Sequence, residues 1–513
     1  MHSMRHELEG FLLVLAIGSA VAIAAKRVGM AYNVALVLVG LILVFLDVIP
    51  VTKMDPEIIL VVFLPLLVFE GALFADAGDM KAAARPILAL AVPGVMLSLI
   101  GTAAVATFAL DLPFAVALLL GALLAITDTV SVLLAFRSVR VPHRLAAIME
   151  GESLFNDGTA LVLVSLGTAV VASGHFSAPD TLRELLVAIV GGLALGAGFG
   201  ALGAAVLRQT PDHLTAILAS LVLVFATSLA AETVHASPVI AVVVAGVIVG
   251  QAARRLLEPS RVLALQGFWE TTGFALNVFI FLEVGMQISA PMLFEQAPSI
   301  ALALLALHAG RAVAVYGCFG VLRALRREDV PLRWQHVMLA GNIKGALSMA
   351  AVLALPQDLP HRDRLITIVF GVTFVTLVTQ ALPFRVILRK LGVASASATP
   401  EFDEAKAILV EARRGQAELD ELLASGLISR KDHAERRAAF QRQIIQAETK
   451  LRGPAGEVVR DALADVAILA AQKAALLEAA RRGLIAEETA HARVNVIDRE
   501  LVQATSPERE GGH

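Results

Sequence analysis

A chain of 513 residues that is 57% hydrophobic and 17% charged, with a mean hydropathy of +0.76, is far too apolar for a soluble enzyme of that length. Its formal net charge of −3 says little as a total, because acids and bases are spread unevenly, and it points to no nucleic-acid partner. The single Cys318 excludes a disulfide within the chain and any cysteine-based metal cluster.

The apolar residues come in repeated stretches near the length needed to cross a hydrocarbon core of about 30 Å. They lack the two-residue alternation of barrel strands and are rich in Leu, Ala, Val and Gly, so the expected fold is an all-α integral membrane bundle. Thirteen transmembrane helices are read, at roughly 8–25, 33–50, 57–75, 86–109, 114–136, 146–172, 182–207, 213–231, 237–252, 268–288, 297–322, 335–355 and 364–388. Loops after odd-numbered spans hold eighteen basic residues, from Lys26 and Arg27 to Arg389 and Lys390. The amino terminus and the loops after even-numbered spans hold only Arg5, Lys53, Arg183, Arg362 and Arg364. This bias puts the amino terminus outside and the carboxyl tail in the cytoplasm.

The first span is read as retained rather than as a cleaved signal, because Glu7 and Glu9 stand where a signal would carry positive charge. The simplest address is a bacterial inner membrane. A transmembrane domain is expected over 1–390 and a helical cytoplasmic tail over 391–513, where the chain turns to 37 charged residues in 123 after an AlaSerAlaSer hinge. Within the tail, GLIS at Gly426 and GLIA at Gly483 suggest two degenerate helical hairpins, with a regulatory or dimer-supporting role set against a merely solvated one.

An ionisable residue in mid-span costs roughly 2.5 to 3.5 kcal/mol on insertion scales, so each asks for a partner or a function. The candidates are Glu70, Asp128, Glu152, Asp157, Glu283, Arg311 and Lys344, five acids against two bases. Some acids therefore lack a fixed cationic partner, and a carboxylate left unpaired in a partly dry site takes up a proton or a metal cation. Protons and cations competing for one group is the elementary step of exchange, and Asp157 is the expected seat of it. Glu152 lies five residues earlier, about 140° around the helix, and so serves a different neighbour. It is read as a buried structural ion pair with Arg311. Ser153 and Asn156 add neutral oxygens suited to a hard ion such as Na⁺.

Two segments read as discontinuous helices. In ALLAITDTVSVLLAF, Thr127, Thr129 and Ser131 interrupt the apolar run around Asp128; in MLAGNIKGALSMA, two glycines bracket Asn342 and Lys344. With the seventh span as a linker, they occupy corresponding places in two inverted six-helix repeats and would cross at the midplane. Asp128 would offset the positive helix ends in one half and Lys344 the negative ends in the other.

The segments GESLFNDGTALVLV from Gly151, ITDTVSV from Ile126, FEGALF from Phe69, FWETTGFALNVFIFLEVGMQI from Phe268 and GRAVAVY from Gly310 together resemble the sodium/proton exchanger family, over nearly all of residues 10 to 390. The resemblance implies a homodimer of thirteen-span protomers in which a core domain carries the ion past a dimerisation domain. It implies Na⁺ bound at Asp157, Thr127 and Asp128 contributing at the helix crossing, Ser153 and Asn156 in support, and Glu152 paired with Arg311. Asparagine rather than a second aspartate before Asp157 is associated with electroneutral exchange, one cation for one proton. Two positions depart from the pattern. Lys344 stands where arginine is usual, and Glu283 where an apolar residue is commoner; Glu283, with Glu70, is a possible additional proton site.

The expected activity is monovalent cation/proton antiport in the service of pH homeostasis, not enzymatic, with no cofactor and with Na⁺ (or Li⁺ or K⁺) and H⁺ as cargo. A K⁺/H⁺ antiporter or K⁺ efflux system of the same fold is the alternative, although the tail holds no GxGxxG fingerprint. A membrane hydrolase or a cation-sensing receptor is the reading from another class; HExxH is absent.

Overall fold

The computed structural model describes residues 2–28, 31–46, 58–139, 141–210, 212–287, 290–393, 400–425 and 427–451, with isolated positions between 472 and 497. The chain divides into two compact units, Met1–Val393 and Ala394–His513. Among the described residues every regular element is helical, as lipid demands of a chain whose backbone must bond to itself. Seven of these helices are long and apolar enough to cross a membrane, and four shorter apolar helices accompany them.

In the first unit, α1 is His2–Val28 and α2 is Tyr32–Phe45. Helix α3 opens with a π turn, Ile59–Phe63, and continues as Leu64–Phe74. Helix α4, Ala84–Ala109, holds a second π turn at Leu90–Gly94, where Pro93 has no N–H to give an α ladder. Then come α5 (Phe114–Ala125), α6 (Thr129–Ser138), α7 (His143–Ser173), α8 (Ala178–Gln209), α9 (His213–Thr233), α10 (Pro238–Leu256) and α11 (Pro259–Gln287). The series closes with α12 (Ala297–Ala324), α13 (Leu332–Ala340), α14 (Ala346–Leu353), α15 (Arg362–Thr376, extended by the π turn Leu377–Ala381) and α16 (Phe384–Lys390). Local chemistry sets several starts: Ser237 caps α10 at the Ile240 N–H just before Pro238, and Asp212 caps α9 at the Thr215 N–H.

Packing sorts these helices into two sets. Helices α8, α9 and α10 pack on one another, α10 on α3, and α11 on α1, α2 and α3. The other set joins α4 to α5 and α12, α5 to α7, and α12 and α14 to α15. The first set is centred on Trp269, fully buried against Phe69 at a centroid distance of 4.7 Å, with its indole N–H donated to Ser220. Its tightest seam lies between α2 and α11. A Cβ on Gly285 would stand 2.2 Å from the Val37 carbonyl, and one on Gly40 2.4 Å from the Leu282 carbonyl, so only glycine allows the two backbones to touch.

A cavity of about 2120 Å³ opens among α2, α3, α7, α8, α9, α11 and α14. Charged residues near the ends of its helices, among them Asp180, Arg183, Glu184, Glu232 and Arg362, ring one part of it, and Leu64, Leu161 and Ala351 form an apolar part.

In the second unit, α17 (Pro400–Ala424) and α18 (Arg430–Leu451) form an antiparallel hairpin. Arg413 meets Glu448 near one end and Asp420 meets His433 near the other. The expected turn glycines Gly426 and Gly483, the second tail hairpin and residues 47–57 lie outside the described residues.

Candidate functional site

The fold brings its two helix breaks together. Helix α5 stops at Ala125 because Ile126 and Asp128 take extended backbone angles, and α13 stops at Ala340 before Gly341. The Asp128 N–H donates to the Ile343 carbonyl at 2.8 Å, which fixes one break against the other. A Cβ on Gly345 would stand 2.8 Å from that of Asp128, so this crossing also requires glycine. A break in lipid strands backbone groups, and here side chains meet them. The Ala125 carbonyl accepts from the Asn156 amide at 3.1 Å, and the Ile126 carbonyl from the Lys344 ammonium at 3.0 Å and the Ser348 hydroxyl at 3.3 Å.

The two charges at the crossing take complementary ends. Asp128 caps α6, accepting from the Ser131 N–H at 3.4 Å and from the Ser131 hydroxyl. The Asn33 amide of α2 donates to the same hydroxyl and, at 3.5 Å, to Asp128. Lys344, fully buried, sits at the carbonyl end of α5 in the partner break rather than on its own helix, and is held there by the Asn342 side-chain oxygen at 2.8 Å. Its backbone N–H donates to Thr376 at 3.1 Å. Opposite charges thus meet opposite helix ends, an arrangement worth up to about 2 kcal/mol each in partly buried geometry.

Beside this crossing, α7 presents Ser153, Asn156 and Asp157 on one face. Asp157 is 9% exposed, and among the described residues its Oδ1 accepts only a long 3.4 Å hydrogen bond from the Thr127 N–H. Thr127 and Ser153 share a hydroxyl hydrogen bond of 3.0 Å. Asn156 spends its N–H groups on Ala125 and, at 3.5 Å, on Thr127, and its buried Oδ1 has no partner among the described residues. The cluster sets one carboxylate beside the side chains of Thr127, Ser153 and Asn156, while the other buried carboxylate at the crossing, Asp128, is committed to the cap of α6. Such a donor set suits a hard monovalent cation or a proton, and no group of three His, Cys, Asp or Glu able to hold a resident metal occurs among the described residues.

The remaining expected residues fall elsewhere. Glu152 points away from Asp157, and both its oxygens accept from the Arg311 guanidinium, at 2.6 and 2.8 Å. This forked pair ties α7 to α12, and Arg311 also reaches the Met338 carbonyl of α13 at 3.4 Å. Glu70 lies half-buried on α3, where a Cβ on Gly273 of α11 would touch its carboxyl group. Glu283 is buried on α11, away from the crossing. Asn33, Ser348 and Thr376 complete the crossing and were not singled out from the sequence. Their signal was only a neutral polar residue within an apolar stretch, which is common and cheap in membrane helices.

Residues 12–390 match the family model described as sodium/hydrogen exchanger, transmembrane. The chain is 36% identical to the Na⁺/H⁺ antiporter NhaS2 of Synechocystis sp., over 96% of this chain and 93% of that protein. It is 35% identical to the Na⁺/H⁺ antiporter ApNhaP of Aphanothece halophytica, over 76% of each. The fold resembles that of the sodium proton antiporter MjNhaP1 from Methanocaldococcus jannaschii, with a TM-score of 0.62 at 21% identity, covering 75% of this chain and 97% of that one.

Proposed function

Because the chain belongs to the sodium/hydrogen exchanger family, we infer that it exchanges Na⁺ for H⁺ across a cell membrane, with both ions competing for Asp157. The observation that carries this reading is the Asp157 carboxylate, buried beside two crossed helix breaks and met by the Thr127 N–H, next to the hydrogen-bonded side chains of Thr127, Ser153 and Asn156. One carboxylate holds one Na⁺ or one H⁺ and cannot hold both without a net positive charge, so loading either ion requires release of the other. Because Asn156 cannot ionise, the loaded site is neutral with either cargo, and exchange is electroneutral. The named relatives are sodium systems, and the K⁺ alternative finds no support in them.

The thirteen spans form two inverted six-helix repeats joined by the span at α8. The helix set holding the crossing moves as the carrier, and the set built on α8, α10 and α11 stays still in a homodimer. Asp128 and Lys344 hold the helix ends, while Glu152 and Arg311 hold the carrier's shape. The bounds of the two functional parts are 1–390 for exchange and 391–513 for a cytoplasmic tail that tunes it. The cavity is rimmed by residues flanking the loops after even-numbered spans, so by the positive-inside rule it opens outside, and its apolar part at Leu161 lies one turn from Asp157.

Proton flux into proteoliposomes on addition of Na⁺, with membrane voltage clamped by an ionophore, tests this. The full-length protein should exchange at a rate that does not change with imposed voltage, and Asp157→Asn should not exchange. Flux that survives Asp157→Asn would sink the central assignment; a steep voltage dependence would sink electroneutrality alone.

A further inference from the structure

Glu283 is 4% exposed, yet its Oε2 has no hydrogen-bond partner and the residue joins no ion pair among the described residues. An uncompensated carboxylate in such a place costs several kcal/mol, so its charge must be met by a proton or by a cation that comes and goes. Its position supplies the route. Residues four apart share a helix face, so Phe279, Glu283 and Gln287 form one stripe along α11. Phe279 packs edge to face on Phe63, in the π turn of α3, at a centroid distance of 5.8 Å. Met286 and Gln287, three and four residues beyond Glu283, line the large cavity. Helix α14, from the crossing set, packs on both α11 and that π turn. Glu283 therefore lies one turn below the cavity wall, at the seam between the two helix sets. The π turn of α3 packs on the same helix one turn away, and such turns recur at functional positions.

Among the described residues, its neighbours offer no fixed charge to neutralise it. On α2 the titratable Tyr32 packs on Phe274, and on α3 Glu70 lies by Gly273, nine and ten residues away and so roughly 14 Å or more along α11. Helix α9, which carries His213 and Glu232, meets α11 through Ser220 and Trp269, and Arg254 of α10 is spent on the Leu73 and Ala75 carbonyls. Helix α14 carries no ionisable side chain, and Lys344 before it is committed to Ile126 and Asn342. Helix α1 meets this part of α11 through Gly18, against Val278.

We propose that Glu283 is a second cargo-binding carboxyl of the transport path, one helical turn beneath the α11 wall of the cavity, where it takes up a proton or a monovalent cation on the way to or from Asp157. The proposal rests on Asp157 being the exchanging group. When Glu283 binds a cation it releases its proton to the cavity water, and when it binds a proton the cation leaves, so each step balances without a further reactant.

The test uses the full-length protein in proteoliposomes and compares Glu283→Gln and Glu283→Met with the parent and with Asp157→Asn, reading Na⁺-driven proton flux against Na⁺ concentration and pH. Both Glu283 variants should still exchange, with half-saturating Na⁺ raised about three- to tenfold and its pH dependence flattened. A merely structural carboxyl would be replaced well by Gln and poorly by Met. The methionine variant also serves if the glutamine variant does not fold, since it suits an apolar site. Either folded variant with the parent's half-saturation and pH profile would overturn the proposal, as would a parent-like Gln variant beside a defective Met variant. Residual exchange in Asp157→Asn would instead count against the reading of Asp157.

Discussion

Both oxygens of Glu152 are taken by Arg311 in a site where each residue is less than 5% exposed. Removing one partner strands a buried charge, which costs about 3 to 5 kcal/mol, whereas removing both leaves little behind. Glu152→Met alone should lower the melting temperature in detergent sharply, and adding Arg311→Met should recover most of the loss. Lys344 works differently, since its ammonium meets a helix end. Lys344→Met should leave the Ile126 carbonyl with only Ser348 and reduce turnover about tenfold or more, with a small change in half-saturating Na⁺. The charged members of this region were legible in the sequence because ions are expensive in lipid and stand out. Asn33, fully buried on Asp128 and Ser131, was not, because an amide at the head of an apolar stretch costs little and its partner lies 95 residues away.

At the level of helices, glycine sets how closely α2 and α11 approach. Gly285→Ala forces a methyl group to 2.2 Å from the Val37 carbonyl, and the overpacking should cost about 1 to 3 kcal/mol, read as a lower unfolding temperature. Both helix breaks could be read from sequence, because Thr127, Asp128 and Thr129, and the glycines at 341 and 345, interrupt apolar runs that would otherwise continue. The π turns in α3, α4 and α15 could not. One extra residue per turn leaves composition unchanged, and prolines within or just after the turns, Pro65, Pro93 and Pro383, give a local reason that does not by itself distinguish a π turn from a kink. Caps in the loops carry their own pH signature. Hydrogen bonds from Thr215 hold the exposed Asp212 carboxyl below its ordinary pKa of 3.8, so the cap on α9 is intact above that value and is lost only as pH falls through the lower folded one. Asp212→Asn should therefore leave the pH profile of transport near neutrality unchanged.

The molecule as a whole is tested by its sidedness. In a Cys318→Ser background, Arg183→Cys at the cavity should react with a membrane-impermeant maleimide added outside intact cells, and Arg255→Cys at the end of α10 should not. The reverse pattern would invert the topology. Truncation after about residue 395 should leave exchange intact while shifting its pH dependence; complete loss in a well-folded protein would make the tail part of the transport machinery. The helical membrane character of the chain was plain in its composition, since nothing but apolar helix satisfies lipid over such lengths. The large cavity was not, because it arises where helices far apart in sequence diverge. One bond in the crossing set bears on speed. The Glu152 and Arg311 fork, with its reach to Met338, binds α7, α12 and α13 into one block, so the ion need not be stripped and recaptured midway. If that block moves as the carrier proposed above, the slow step is the slide of a protein surface through surrounding acyl chains, and turnover should follow bilayer thickness and fluidity more closely than the hydration energy of the ion carried.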